Sequence, residues 1–145
     1  MASETKELIV LIDRLESEHV EVLGALDTLG SAVATEDGVA LRGALAAGSE
    51  ILGAALNVHS AAEDEDLFPQ LAPMIGADMV GVFVQEHVRI RALRDQVYER
   101  MGRGEADFDG CAELCDLLAG HMERENVALF PAARSLLADS RQATQ

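Results

Sequence analysis

The sequence is poor in aromatic and in basic residues. Aromatic residues make up 3% of the 145 positions and tryptophan is absent, so leucine, alanine, valine and isoleucine must fill the core. That composition suits helices. Eleven lysines and arginines stand against 26 aspartates and glutamates, which gives a net charge of −15. Because nucleic acids and anionic lipids bind basic surfaces, we expect neither of them as a partner.

Cysteines and long apolar runs are also scarce. The two cysteines, Cys111 and Cys115, are four positions apart, and on one helix this spacing is poor for a disulfide, so we expect both to be reduced core residues. No apolar run approaches the length of a membrane span, and residues 1–7 lack the basic start and apolar stretch of a secretory signal. We therefore expect a cytoplasmic protein that does not bind a membrane.

The apolar residues recur at helical spacings of three and four and never alternate with period two, so the sequence predicts helices and no strands. The predicted helices cover residues 5–29, 41–67 and 78–101, with a fourth beginning near Asp109, a candidate N-cap. Pro69 and Pro73 should kink or end the second helix, and Pro131 should bend the fourth.

The predicted fold is all-α: an antiparallel up-down four-helix bundle with an internal two-fold pseudo-repeat. It forms one domain over residues 1–145, with a helical core over about 5–138 and a polar tail over 139–145.

One segment of the chain occurs twice. His59-Ser-Ala-Ala-Glu63-Asp-Glu-Asp-Leu67-Phe-Pro69 recurs as His121-Met-Glu-Arg-Glu125-Asn-Val-Ala-Leu129-Phe-Pro131, with histidine, glutamate and Leu-Phe-Pro at the same offsets. A histidine and a glutamate four positions apart lie on one face of a helix and can reach the same buried cation. The other two histidines, His19 and His87, each precede one of these motifs. The pattern predicts a site for two metal ions.

A metal-free structural bundle is the competing interpretation of this pattern. Burying Glu63 and Glu125 without compensation costs several kcal/mol each, so that interpretation needs cationic partners, for which Arg91 and Arg94 are the candidates. A layer of four imidazoles and two carboxylates is better explained by cations that bind all six. We therefore favour metal binding.

Several nearby residues are predicted to lie outside the site. Glu18 and Glu86 each precede a lone histidine, but adjacent residues diverge by about 100° on a helix, so we expect boundary or surface positions for both. In the acidic run 63–66, only Glu63 is predicted to be functional. Tyr98 is expected to be a core residue.

The series of lone histidine and His-x-x-x-Glu, read twice and followed each time by Leu-Phe-Pro, resembles the hemerythrin-like family, also called HHE cation-binding domains. The resemblance covers essentially the whole chain and implies a four-helix bundle around a non-haem, oxo- or hydroxo-bridged centre of two iron ions. The metal ligands that it implies are His19, His59, Glu63, His87, His121 and Glu125. Zinc is the chemical alternative to iron, since it accepts the same ligand types.

The resemblance also bears on the reaction. Oxygen-carrying hemerythrins use five histidines and an aspartate after the last one. This chain has four histidines in all, and its last carboxylate is a glutamate four positions after the last histidine. Two histidines, two bridging glutamates and the oxo or hydroxo bridge would give each iron five of six ligands, which predicts nearly equivalent metals, each with one open position. We therefore expect the protein to bind and react with hydrogen peroxide, nitric oxide or dioxygen, in redox or nitrosative stress, as an oxidoreductase of peroxidase, catalase or nitric-oxide-handling type.

Two alternatives remain open at this stage. The domain could bind or sense oxygen, nitric oxide or iron without turnover, because hemerythrin-like domains also serve as carriers and sensors. A ferritin-like carboxylate site would use Glu-x-x-His pairs. Only Glu16 and His19 have that spacing, and the other three histidines have Leu56, Val84 and Leu118 at the required place, so this alternative is disfavoured.

Overall fold

The computed structural model describes the backbone of residues 2–143 and the side chains of residues 3–140. Over this range the chain is helical and contains no strand, which confirms the all-α prediction. The α-helices are α1 (Ala2–Ala34), α2 (Gly38–Ala47), α3 (Leu56–Ala61), α4 (Phe68–Ile75), α5 (Ala77–Gly102), α6 (Phe108–Arg124) and α7 (Phe130–Ala143). Three π-helical segments join them: π1 (Ile51–Ala55), π2 (Ala62–Leu67) and π3 (Glu125–Leu129). Residues 144 and 145 of the predicted polar tail lie outside the described range.

The predicted second helix is not continuous. The helical segments 38–47 and 51–75 meet at an angle of 60°. Gly48 ends α2 with a non-helical backbone (φ −89°, ψ 2°), and a Cβ at this position would lie 3.2 Å from the carbonyl oxygen of Ala44. Its other close neighbours would be Leu52, at 3.5 Å, and Ala25 of α1, at 3.7 Å. Glycine therefore fits where the chain turns against α1.

The prolines of the repeated segment do not end their helices. Pro69 follows π2 and Pro131 follows π3, each as the second residue of the next α-helix. Proline is tolerated in a first helical turn because its missing N–H would have no partner there in any case. The helix instead ends at Ile75, after Pro73, where Gly76 has a positive φ of 117°.

The predicted cap of the fourth helix is wrong by two residues. Asp107, and not Asp109, is the N-cap of α6, and its carboxylate accepts a hydrogen bond from the backbone N–H of Gly110 at 2.9 Å. A Cβ on residue 110 would overlap this carboxylate, so the cap requires glycine there.

The buried side chains form three apolar clusters along the bundle. The first includes Leu15, Phe68 and Phe130, the second includes Val22 and Leu118, and the third includes Leu29, Leu41, Val97 and Cys111. On α1, His19 lies between Leu15 of the first cluster and Val22 of the second. The polar layer described below therefore separates these two clusters.

Among the described residues, no single helix is both long and apolar enough to cross a membrane. Within the described range, only the segments 38–47 and 51–75, taken together, reach the length and hydropathy of a membrane span, and they are bent by 60° where they meet.

Candidate metal centre

The six side chains predicted as ligands converge in the interior of the bundle. None of them is more than 5% exposed. The histidines come from four different helices, His19 from α1, His59 from α3, His87 from α5 and His121 from α6, while Glu63 and Glu125 lie in π2 and π3. Their donor atoms form two groups able to hold a metal ion: Glu63, His87, His121 and Glu125 in one, and His19, His59 and Glu125 in the other.

The inward-facing nitrogens are arranged in two close pairs. The Nε2 atoms of His19 and His59 lie 3.2 Å apart, and those of His87 and His121 lie 3.1 Å apart. One oxygen of each glutamate lies between the pairs. Glu63 Oε1 is 3.1 Å from His87 Nε2 and 3.4 Å from His59 Nε2, whereas Glu125 Oε1 is 3.2 Å from His19 Nε2 and 3.3 Å from His121 Nε2. Each carboxylate thus spans both histidine pairs.

The outward-facing nitrogen of every histidine has an oxygen partner. His59 Nδ1 lies 2.9 Å from Glu18 Oε1, His121 Nδ1 2.9 Å from Glu86 Oε1, His87 Nδ1 2.7 Å from Asp64 Oδ1 and His19 Nδ1 2.8 Å from Asn126 Oδ1. An ionised carboxylate and an amide oxygen only accept hydrogen bonds, so Nδ1 donates in each case. This fixes the tautomer and leaves the lone pair of Nε2 directed into the site.

These four partners are functional residues that the sequence-based prediction missed. Glu18 and Glu86 do lie at the boundary, with side chains 40% and 17% exposed, but each reaches an imidazole on a different helix. Asp64, predicted to be part of a solvated acidic run, holds His87. The available signals were the repeated Glu-His dipeptide at positions 18–19 and 86–87 and the polar residue that follows each motif glutamate.

The interior of the cluster contains acceptors without donors. Among the described residues, no aligned donor serves Glu63 Oε2 or either oxygen of Glu125. His19 and His121 come within 3.3 Å of Glu125 Oε1, but a neutral imidazole whose proton is on Nδ1 presents a lone pair to that oxygen. Lone pairs then face each other across the layer. Cations at this position would turn these contacts into coordination, so the residues fit a metal centre.

The pKa values of the metal-free cluster reflect the same surplus of acceptors. Burial disfavours a charged imidazole, but the hydrogen bonds and charges of Glu63 and Glu18 outweigh it and raise the pKa of His59 to about 9. The pKa of His121 is raised in the same way, against burial, by Glu125 and Glu86. Burial and the neighbouring Glu125 raise the pKa of Glu63, while hydrogen bonds hold the pKa of Glu125 low despite its burial. Protons therefore compensate the buried acceptors when no cation is bound.

The arginines proposed for a purely structural interpretation do not reach the buried glutamates. The Arg94 guanidinium donates to the carbonyl oxygen of Leu52 at 3.2 Å and to Asn57 at 2.6 Å. Arg91 lies 3.9 Å from Asp64, on the outer side of the layer. Neither arginine is therefore the cationic partner that the metal-free interpretation requires for Glu63 and Glu125.

Phenylalanine rings support three of the histidines. Phe68 stacks on His87 and Phe130 stacks on His19, with ring centroids 5.7 Å apart in both pairs. Phe83 meets His121 edge-on at 5.5 Å. Because the two stacking rings are the phenylalanines of the repeated Leu-Phe-Pro, the motif supplies packing for a histidine outside its own segment.

A small cavity adjoins the Nε2 atoms on the side of the second apolar cluster. Its volume is about 10 Å³, which suffices for about one water molecule. The lining residues are His19, Val22, Leu56, His59, Ser60, His87, Ile90, Leu118, His121 and Met122. Apart from the histidines and Ser60, this lining is apolar. The space suits a ligand of a few atoms.

The remaining candidate residues lie away from the centre. Cys111 is buried and Cys115 is partly buried, both are free thiols, and both pack in the third cluster or against it. Tyr98 is partly buried and its hydroxyl donates to the carbonyl oxygen of Leu45 at 2.8 Å. These three residues have the structural roles predicted for them.

Comparison with known proteins gives one match. The family model of the hemerythrin HHE cation-binding domain matches residues 10–133, a range that contains all six candidate ligands. Searches of curated proteins and of solved structures gave no significant match.

Proposed function

Because the chain belongs to the family of hemerythrin HHE cation-binding domains, we propose that it holds two iron ions and binds and reacts with small oxidants, namely hydrogen peroxide, nitric oxide or dioxygen. The observation that carries this proposal is the layer of four inward Nε2 atoms and two buried carboxylates, three of whose oxygens have no hydrogen-bond donor. Imidazole and carboxylate together are ligands that iron accepts.

In this proposal His19 and His59 would hold one iron, His87 and His121 would hold the other, and Glu63 and Glu125 would contribute to both. The position of each glutamate Oε1 between the histidine pairs supports the bridging role. Two adjacent irons supply one-electron redox steps and Lewis acidity when bound.

The chain's own residues set the conditions for the reaction. Outer hydrogen bonds to Nδ1 hold each imidazole in one tautomer and orientation, so the ligand geometry is prepared before the metal arrives. The apolar lining from Val22, Leu56, Ile90 and Leu118 excludes bulk water and strengthens local electrostatics. The small volume of the cavity restricts access to molecules of a few atoms, which favours peroxide, nitric oxide and dioxygen over organic substrates.

We further propose that the bundle is the antiparallel up-down type with a two-fold pseudo-repeat. The outer hydrogen bonds support this, since the glutamate before each lone histidine binds the histidine of a motif: Glu18 binds His59, and Glu86 binds His121. In return, the residue after each motif glutamate binds a lone histidine.

Metal analysis combined with absorption spectroscopy tests the proposal. Protein loaded with Fe²⁺ without oxygen and then oxidised should retain two irons per chain and absorb in the near ultraviolet. Adding peroxide or nitric oxide should change that spectrum, and the reagent should be consumed over many turnovers, by disproportionation for peroxide and with an added reductant for nitric oxide. Glu65→Gln, an exposed change within π2, should behave as the wild type.

The outcomes separate the candidate functions. Retained iron and a spectral change without turnover would identify binding or sensing, the alternative function. Failure to retain iron, with zinc held in its place, would refute the iron assignment and redox chemistry at this site.

A further inference from the structure

We infer that the two metal positions are unequal, and that the position between His87 and His121 binds metal more tightly than the position between His19 and His59. This inference rests on the proposed function, because it assumes that metals occupy both positions. It comes from the hydrogen bonds that surround the ligands and not from the ligands themselves. The six ligands alone predict two nearly equivalent metals.

The two halves differ in the acceptors that hold Nδ1. Both imidazoles of the His87–His121 pair donate to carboxylates, Asp64 at 2.7 Å and Glu86 at 2.9 Å. In the other pair, His59 donates to the carboxylate of Glu18, but His19 donates to the amide oxygen of Asn126. One half therefore has two anionic acceptors and the other half has one.

An anionic acceptor makes the imidazole a stronger ligand. A hydrogen bond to a carboxylate is about twice as strong as one to a neutral oxygen, and it shifts electron density towards Nε2. Removing such an outer partner commonly lowers metal affinity by about 10- to 100-fold. The exchange of a carboxylate for an amide at His19 should weaken its metal position by the lower part of that range.

Asp64 and Asn126 occupy the same place in the two repeated segments. Asp64 directly follows Glu63, and Asn126 directly follows Glu125. Both side chains extend from the motif helix to a lone histidine, with Nδ1-to-oxygen distances that differ by only 0.1 Å, 2.7 against 2.8 Å. The geometry is therefore matched, and the charge of the acceptor is what differs.

Neighbouring arginines and solvent do not remove this difference. Arg91 lies 3.9 Å from Asp64, and Arg124 pairs with Glu86, so part of each carboxylate charge is offset on its outer side. The acceptors of the His87–His121 pair are also the less exposed ones, at 24% and 17% against 40% for Glu18, so water screens them less.

A metal titration of three variants tests the inference. Co²⁺ under nitrogen serves as the probe, followed by calorimetry and by its visible absorption. Asn126→Asp gives both positions two carboxylate acceptors, and Asp64→Asn gives both one. Val127→Asp is the matched control, since residue 127 is 72% exposed and adds the same charge next to Asn126 without approaching His19 Nδ1.

The wild type should bind two Co²⁺ in two separate steps. Asn126→Asp should raise the Co²⁺ affinity of the second step by about 10-fold and leave that of the first step unchanged. Asp64→Asn should lower the Co²⁺ affinity of the first step by about 10-fold. Val127→Asp should change both steps by less than about 3-fold, because an exposed charge is screened by salt.

Three results would overturn the inference. Equal strengthening by Asn126→Asp and Val127→Asp would show a general charge effect, and an unchanged second step in Asn126→Asp would show that the acceptor is irrelevant. An Asp64→Asn variant that weakens only the second step would assign the tighter site to the other pair. In all three cases two Co²⁺ still bind, so the proposed function stands, whereas a wild type that binds no metal would refute both.

Discussion

Glu63→Gln should have opposite effects on the metal-free and the metal-loaded protein. The Glu63 side chain is fully buried, its Oε2 has no aligned donor, and it faces the second buried carboxylate, Glu125. Glutamine keeps the shape, removes the charge and can donate a hydrogen bond towards Glu125. An unsatisfied buried polar group costs about 1–3 kcal/mol, so the metal-free variant should be more stable than the metal-free wild type by about that amount.

With metal bound, Glu63→Gln should be less stable than the wild type. A metal at 100 times its dissociation constant stabilises the folded state by about 2.7 kcal/mol for each site. Glutamine is a weaker, neutral ligand at a position that both metals would share in the proposed centre, so the variant should lose most of this stabilisation. Urea unfolding with chelator and with excess Co²⁺, monitored by circular dichroism, measures all four free energies of unfolding.

An exposed residue of the same π segment provides the control. Glu65→Gln lies two residues away in π2 but is exposed, so its free energy of unfolding should stay within about 0.5 kcal/mol of the wild type in both conditions. If Glu63→Gln destabilises the metal-free protein and keeps the full stabilisation by metal, Glu63 is a structural residue and the argument from unsatisfied oxygens is wrong.

Three further predictions concern other parts of the chain. His59→Ala and His121→Ala should each lower the iron content measured by elemental analysis, whereas the exposed Val88→Ala should not; unchanged iron in both histidine variants would refute the ligand assignment. Burial raises the pKa of Cys111 to about 12 and that of Cys115 to about 11, so neither thiol should react with Ellman's reagent at pH 8 until urea unfolds the protein. Since the folded state holds these protons more tightly, both contributions to stability are complete below pH 9 and decrease as the pH rises towards 12. Asp107→Ala removes the cap of α6 and should lower stability by about 0.5–2 kcal/mol without changing metal content; a loss of metal would show that the cap also orders the site.

The six candidate ligands could be located from the sequence because each is specified by spacing along one helix. His59 and Glu63 share a face through the helical repeat, and so do His121 and Glu125. The outer partners could not be found in this way. Adjacent residues on a helix point about 100° apart, so Glu18 does not approach the metal position of His19 from its own helix. It reaches His59, and that contact depends on how α1 packs against α3.

The same limit applies to the fold. Apolar periodicity predicts α1 and α5 to within a few residues at most boundaries, because a regular helix repeats its own pattern. The bend at Gly48 interrupts an apolar pattern that continues on both sides of it. The buried leucines of this pattern are Leu41 and Leu45 before the bend and Leu52 and Leu56 after it. The apolar pattern does not mark the turn, which the non-helical backbone of Gly48 makes next to Ala25 of α1. Local pattern thus predicts the elements, and contacts between elements decide where they break.

Each repeated segment can now be understood as a unit that serves two histidines, its own and one on another helix. Residues 59–69 supply the candidate ligands His59 and Glu63, and they also hold His87 through the carboxylate of Asp64 and the ring of Phe68. Residues 121–131 do the same for His19 through Asn126 and Phe130. Each π segment contains the glutamate and ends one residue before the phenylalanine. Ring and spacing are the same in the two segments while the acceptor changes from carboxylate to amide, so a difference between the two metals can arise without any change in their ligands.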